Sequence, residues 1–465
     1  MRNRISPVII LTLLILPGAL RAQFIKGTIV DNPADKVYFH EIVFGKPTLI
    51  DSAEVRADDS FVLTTADSLP AGMYQISAAG MQSVDIIVNG YPVIFHTYAW
   101  AVADSMTVKS SLDTRLFYKV IGEERAFQKK NSALSQLIRL YADEPEKSEF
   151  RRLLQSESDS LGRGRMQRQQ RLAETYPNSF IAVLLQNSWR PAFTQDDQSR
   201  YGDENAFLRD HYFDNLNLNQ PMLLRSNILP NKINDYINLF NAKSDQEFIA
   251  AIDRIALKMS ENKRIHQYTL EYLLQSFAET DYDDVFFYIS SLYEAEHGCL
   301  NENLDFDLET EKRIRQNLQP GKTAPEIRLK NPDGQQVSLH DIDAGYTLVL
   351  FWASWCSHCV NALPEIDRLY KTYKEEGLKV YAVSLDRKKL EWISTIQSQA
   401  PDWIHVSELQ GWEGEYNTTY NIRGTPTYYL LDDDKKIIAK PGSPDQIEAK
   451  LQAVLESTSQ SESGG

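Results

Sequence analysis

From Gln23 to about Tyr118 apolar and polar residues alternate in short runs, with turn residues recurring between them. Phe24–Val30 and Lys36–Val43 read as strands, Phe44-Gly45-Lys46-Pro47 as a turn, and 60–65, 72–78, 84–88 and 93–97 as further strands. That pattern predicts a small β-sandwich over residues 23–118. After about Val120 the period becomes helical. Ala126, Leu134, Leu137, Ile138 and Tyr141 share one face, and a second helix is predicted over about 148–175. A helix capped by Asn178-Ser179 follows, then a less regular stretch, 195–220, and helical stripes resume from 229 to 300. These stripes are core faces and carry no cofactor motif. An α-helical middle region is therefore expected over 119–318, ending near the breaker pair Pro320-Gly321. The last segment, 319–457, predicts βαβ units on a mixed sheet. It has a strand at 347–352, a helix through Val360, Leu363, Ile366, Leu369 and Tyr373, and strands at 378–385, 428–431 and 436–439. A helix over 388–398 and a closing helix over 444–455 complete it, and the polar tail 458–465 is expected to be disordered.

Composition changes this picture at the start of the chain. Arg2 and Arg4, the apolar run 8–16, Pro17-Gly18 and then Ala19-Leu20-Arg21-Ala22 form the pattern of a secretory signal peptide over residues 1–22. The apolar run is too short for a comfortable membrane span, and no later stretch is longer. An exported mature chain is expected. Its formal charge of −15 becomes −18 once Arg2, Arg4 and Arg21 are removed, which leaves no electrostatic footprint for nucleic acid. The arginines 163, 165, 168 and 171 read as a solvated helix face. At 465 residues, two or three domains are expected.

Three cysteines in an exported chain of this size do not make a disulfide scaffold. Two of them, Cys356 and Cys359, sit where the buried strand 347–352 gives way to a helix. A thiolate at that turn is favoured by the helix dipole and its unpaired amides. A second thiol three residues on lies within reach, the minimum equipment for disulfide exchange. The rival reading is half of a zinc site. Structural zinc needs four ligands, only Cys299 remains, and no second close pair exists. His40 and His96 stand alone in strands and read as surface or satisfied residues. Cys299 reads as a buried inert thiol or a site of regulatory pairing.

Four motifs carry a resemblance. Phe351-Trp352-Ala353-Ser354-Trp355-Cys356-Ser357-His358-Cys359 resembles the thioredoxin active site. Ala324-Pro325-Glu326-Ile327-Arg328-Leu329, Asp333-Gly334 and Val337-Ser338-Leu339 resemble the hairpin that opens the TlpA/ResA-like branch of the bacterial cell envelope. Pro364 matches that fold's helix-kinking proline. Gly424-Thr425-Pro426-Thr427, followed by Tyr428 to Asp432, resembles the segment with the cis-proline that faces the cysteines. Residues 319–457 thus resemble a thioredoxin-fold redox domain. The order of Gly27, the Val37 strand, Leu49-Ile50-Asp51-Ser52, Ser60-Phe61 and Gly72-Met73-Tyr74 is similar to a β domain found ahead of such domains.

The resemblance implies an exported, periplasmic thiol–disulfide oxidoreductase of multidomain build, with no cofactor and no metal. Cys356 would attack a partner disulfide and Cys359 would resolve the mixed disulfide. Pro426 in cis would present the Thr425 backbone to the substrate chain, and Trp355 would shield the attacking sulfur. The expected partners are protein disulfides or dithiols and an upstream electron donor such as a membrane thiol carrier. Two departures stand out. Leu350 occupies the position of the acid that serves the resolving cysteine in thioredoxins, and Ala362 that of a glutamate in the ResA-like branch. Water or another carboxylate must serve, and Glu365 is the candidate. His358, able to carry positive charge between the sulfurs, predicts a potential less negative than that of thioredoxin. Two rivals are weighed. One is an envelope binding or scaffold protein with a secondary redox domain. The other is a peroxidase of the same fold, disfavoured because those enzymes use a Thr-x-x-Cys type site.

Overall fold

The computed structural model describes residues 24–64, 69–242, 244–297, 304–400 and 402–463. The predicted signal peptide and Cys299 lie outside them. The chain forms two compact units, one ending at Tyr272 and the other beginning at Leu273.

Among the described residues, the first unit opens with eight strands: β1 (Phe24–Val30), β2 (Lys36–Val43), β3 (Lys46–Glu54), β4 (Ser60–Thr64), β5 (Gly72–Ser77), β6 (Val84–Val88), β7 (Val93–Tyr98) and β8 (Thr107–Ser110). They build two four-stranded sheets, ordered β4-β1-β7-β8 and β3-β2-β5-β6. Ile25, Ile29, Phe61 and Phe95 of one sheet share a core with Val37, Phe39, Tyr74, Ile76 and Ile86 of the other. The expected sandwich is therefore present, with two strands more than the pattern predicts. Every residue of β3 is exposed or half-buried, so no alternation marks it. The residues Phe44 (φ 49) and Gly45 (φ 80) turn β2 into β3 as a two-residue hairpin loop, and both need a left-handed backbone.

After the short helix α1 (Val102–Ser105), helices α2 (Leu112–Leu140) and α3 (Ser148–Thr175) run antiparallel. Arg165 meets Glu124 at 3.0 Å and Arg168 meets Glu123 at 3.7 Å. Two of the arginines read as a solvated face thus tie the helices together. Next come α4 (Phe180–Ser188), α5 (Gln195–Tyr201) and α6 (Glu204–His211). The last two occupy the stretch expected to be irregular. Thr194 and Asp203 act as caps: Thr194 and Asp197 form a capping box, and Asp203 accepts the Ala206 N–H at 2.8 Å. Helices α7 (Ile228–Phe240), α8 (Asp245–Met259) and α9 (Lys263–Ala278) follow.

The second unit begins with the end of α9, then α10 (Asp283–His297) and α11 (Leu308–Asn317). Its strands are β9 (Arg328–Lys330), β10 (Gln336–Ser338), β11 (Tyr346–Trp352), β12 (Leu378–Ser384), β13 (Ile404–Ser407), β14 (Thr427–Leu431) and β15 (Ile437–Ala439). They form one mixed sheet, β10-β9-β13-β12-β11-β14-β15. Residues Thr347 to Trp352 of β11 are all buried, as their unbroken apolar run predicts. Neighbouring β12 runs parallel to β11, and β14 runs antiparallel on its other side. Helices α12 (Ser357–Tyr373), α13 (Lys389–Gln399), α14 (Glu415–Thr419) and α15 (Pro444–Ser463) complete the unit. The last corrects an expectation: helix continues to Ser463 into the stretch expected to be disordered. Once a helix is nucleated and anchored by Ile447 and Leu451, extending it by a few polar residues costs little.

Helix α11 is joined to the sheet by buried charge. Arg315, fully buried, donates to Glu311 at 2.8 Å, Asp283 at 2.7 Å and the Ala278 carbonyl at 2.7 Å. Glu311 in turn accepts from Arg423 at 3.1 Å and Asn421 at 3.3 Å, in the loop that leads into β14. Among the described residues, no helix is long and apolar enough to cross a membrane.

Candidate active site

The site lies at the end of β11. There the chain turns through Ala353, Ser354 and Trp355, and a buried carboxylate holds the turn. Asp386, 1% exposed, accepts the Ser354 N–H at 3.0 Å and also the Ser354 and Ser384 hydroxyls. Sequence reading missed Asp386. The available signal was a Ser-x-Asp at the carboxyl end of a strand parallel to the one carrying the cysteines.

Cys356 caps helix α12, and its sulfur accepts the backbone N–H of Cys359 at 3.3 Å. The Cys356 thiol also points to the Thr425 carbonyl oxygen, 3.4 Å away. Both thiols are free. They differ in access, since Cys356 is 9% exposed and Cys359 is 1% exposed. They differ in acidity too. Burial is the largest single influence on Cys356 and opposes ionisation. The contacts with the Cys359 thiol and Thr425 and the backbone N–H groups of Cys359 and His358 together outweigh it, so its pKa lies below the ordinary value. Burial pushes the Cys359 thiol up to about 12, and the neighbouring Cys356 sulfur adds to that.

The Thr425-Pro426 bond is cis, and its segment faces the sulfur of Cys356. Trp355 is exposed beside the sulfur, and its ring lies 6.4 Å from that of Trp412, which sequence reading did not single out. The two tryptophans, with Leu385, Arg387, Lys388 and Glu391, line a groove of about 360 Å³. His358 is exposed, and what it gives Cys356 is its backbone N–H. Glu365 is not brought to the sulfurs. It lies six residues beyond Cys359, about 240° around the helix, and Arg368 holds its carboxylate at 2.7 Å. Among the described residues, no group of three or more His, Cys, Asp or Glu could hold a metal ion. Residue 353, three before Cys356, is alanine, where a Thr-x-x-Cys site has threonine.

Comparison with known proteins bears on this site. Residues 320–440 match the AhpC/TSA family model. Thiol-disulfide oxidoreductase ResA of Bacillus cereus is 27% identical over 143 residues, covering 30% of this chain and 81% of that protein. Thioredoxin-like protein YneN of Bacillus subtilis is 30% identical over 122 residues, covering 25% of this chain and 67% of that protein. The chain belongs to the ResA-like thioredoxin-fold family. The ResA-like part is its C-terminal third. A solved domain of a possible thiol-disulfide isomerase from Cytophaga hutchinsonii is 31% identical, with 31% of this chain and 97% of that one covered at a TM-score of 0.29.

Proposed function

We propose that this chain is an exported thiol–disulfide oxidoreductase that reduces or isomerises disulfides of envelope proteins. The supporting observation is the asymmetry of its two sulfurs: one at a helix cap, 9% exposed and more acidic than usual, the other 1% exposed and kept protonated. In this reading the Cys356 thiolate attacks a substrate disulfide R–S–S–R′ and expels R′–S⁻, which leaves a Cys356–R mixed disulfide. Cys359 then attacks the Cys356 sulfur, the S–S bond between Cys356 and the substrate sulfur breaks, and the Cys359 proton passes to the departing thiolate R–S⁻. Two electrons leave the protein for the substrate. A membrane dithiol carrier would return them. Trp355 and the cis Thr425-Pro426 segment would receive the substrate chain on either side of Cys356. Export rests on the pattern of residues 1–22. The assignment of 23–118, 119–318 and 319–457 as β, helical and redox domains belongs to the same reading.

The test is trapping. A Cys359→Ser variant expressed in the envelope is expected to accumulate mixed disulfides through Cys356 that reducing agent releases. Partners held equally well by a Cys356→Ser, Cys359→Ser double variant would point instead to a binding protein.

A further inference from the structure

The resolving thiol has no acid beside it where thioredoxins place one, because that position is Leu350. The sheet register shows what stands there instead. Leu350 on β11 lies directly opposite Tyr428 on β14. Directly opposed residues of an antiparallel pair share one face of the sheet, and successive residues alternate faces. Tyr429 takes the other face, where its ring meets Phe351 and Tyr420 and its hydroxyl donates to the Tyr420 carbonyl at 2.6 Å. Tyr428 is equally buried, at 2% exposed, yet its hydroxyl has no hydrogen-bond partner. A buried, unpaired hydroxyl is costly, so its retention calls for a cause. Electrostatics identifies its neighbours. Burial raises the pKa of both rings, but the charges that act on Tyr428 are those of Cys359 and then Cys356, whereas Tyr429 feels Asp281 and Asp283. Tyr428 therefore faces the dithiol and stays a neutral phenol, a donor.

We propose that the Tyr428 hydroxyl donates a hydrogen bond to the Cys359 sulfur as that sulfur becomes negative in the resolving step, stabilising it where no acid stands at Leu350. The proposal rests on the dithiol chemistry proposed above. The tyrosine keeps its own proton throughout. The Cys359 proton goes to the released substrate thiolate, the S–S bond between Cys356 and the substrate sulfur breaks and the Cys356–Cys359 disulfide forms, so no further reactant is needed. Donation to a charged acceptor is among the stronger protein hydrogen bonds, so its loss should slow resolution roughly ten- to a hundredfold.

Reaction of the reduced full-length protein with 5,5′-dithiobis(2-nitrobenzoate) separates the two steps, because each releases one thionitrobenzoate. The first release reports attack by Cys356 and the second resolution by Cys359. For Tyr428→Phe the first phase should stay within about twofold of the unaltered protein, and the second should slow by the stated factor across pH 6–9. A second phase unchanged within twofold overturns the proposal. A first phase absent from the unaltered protein overturns the dithiol chemistry instead. Phenylalanine removes only an unpaired hydroxyl, so a merely structural role predicts equal or higher stability and no kinetic change. 3-Fluorotyrosine at 428, a stronger donor of nearly the same size, should hold or raise the second rate; a slower one also counts against the assignment.

Discussion

The Cys356 sulfur accepts the backbone N–H of Cys359 at 3.3 Å, a contact that favours the thiolate form of Cys356. The Cys359 thiol is pushed up to about 12 by burial. Alkylation of the reduced protein should therefore show one fast thiol. Its rate should rise with pH through a midpoint below the ordinary thiol value, and Cys356→Ser should abolish it. Peptide mapping after a short iodoacetamide pulse at pH 7 should find the label on Cys356 and not on Cys359. Equal labelling of both would contradict the asymmetry.

The same contacts bear on the redox potential. Hydrogen bonds that stabilise the Cys356 thiolate stabilise the reduced protein, which makes its disulfide form a stronger oxidant. Equilibration with glutathione should give a potential less negative than about −270 mV, the thioredoxin value. A value at or below that figure refutes the inference. Because His358 contributes its backbone N–H, His358→Ala should change the potential less than a proline there, which removes the N–H.

How much of this was legible in the chain follows from where each signal resides. β11, the cysteine pair and the cis-proline segment are local patterns: an unbroken apolar run, a strand-to-helix turn, a short motif. β3 was missed because an exposed edge strand has no alternation to read. Helices α5 and α6 were missed because their capping residues resemble loop residues. Asp386 and Tyr428 were missed for a different reason. Each matters through a partner fixed by tertiary register, Ser354 across 32 residues and Leu350 across 78. Glu365 sits about 240° around α12 from Cys359, a phase that six residues of spacing already determine.

Asp386 holds the turn before Cys356. Replacing it with alanine leaves the part-buried Ser354 N–H and the buried Ser384 hydroxyl without this acceptor, a cost of about 1–3 kcal/mol. The loosened turn should also slow Cys356 alkylation. Chemical denaturation measures the first effect and pulse labelling the second. Serine at 354 makes two of the contacts, so Ser354→Ala should show a smaller loss in the same direction.

Arg315 is the centre of the charge cluster that ties α10 and α11 to the loop before Thr425. Arg315→Met leaves Glu311 and Asp283 short of their buried partner, and breaking a buried pair from one side costs roughly 3–5 kcal/mol. Hydrogen exchange should report the loss in α11 and in β14 together, because Arg423 depends on Glu311 for its anchorage. Protection lost in α11 alone would show that the cluster does not couple the two.

His405 supplies a pH dependence unrelated to the thiols. Its ring stacks on Trp403 at 5.8 Å, Nε2 donates to the Ala400 carbonyl at 2.7 Å, and Nδ1 is buried without a partner. Burial lowers its pKa from 6.5 to about 4. Between those values the unfolded chain binds a proton that the folded chain does not, so stability falls as pH drops. The contribution is complete above pH 6.5 and lost progressively down to about 4, amounting to roughly 3 kcal/mol. His405→Phe keeps an aromatic ring against Trp403 and removes the titrating group. Denaturation midpoints at pH 7 and pH 4.5 should lie closer together in that variant than in the unaltered protein, whereas parallel pH profiles would place the acid sensitivity on other groups.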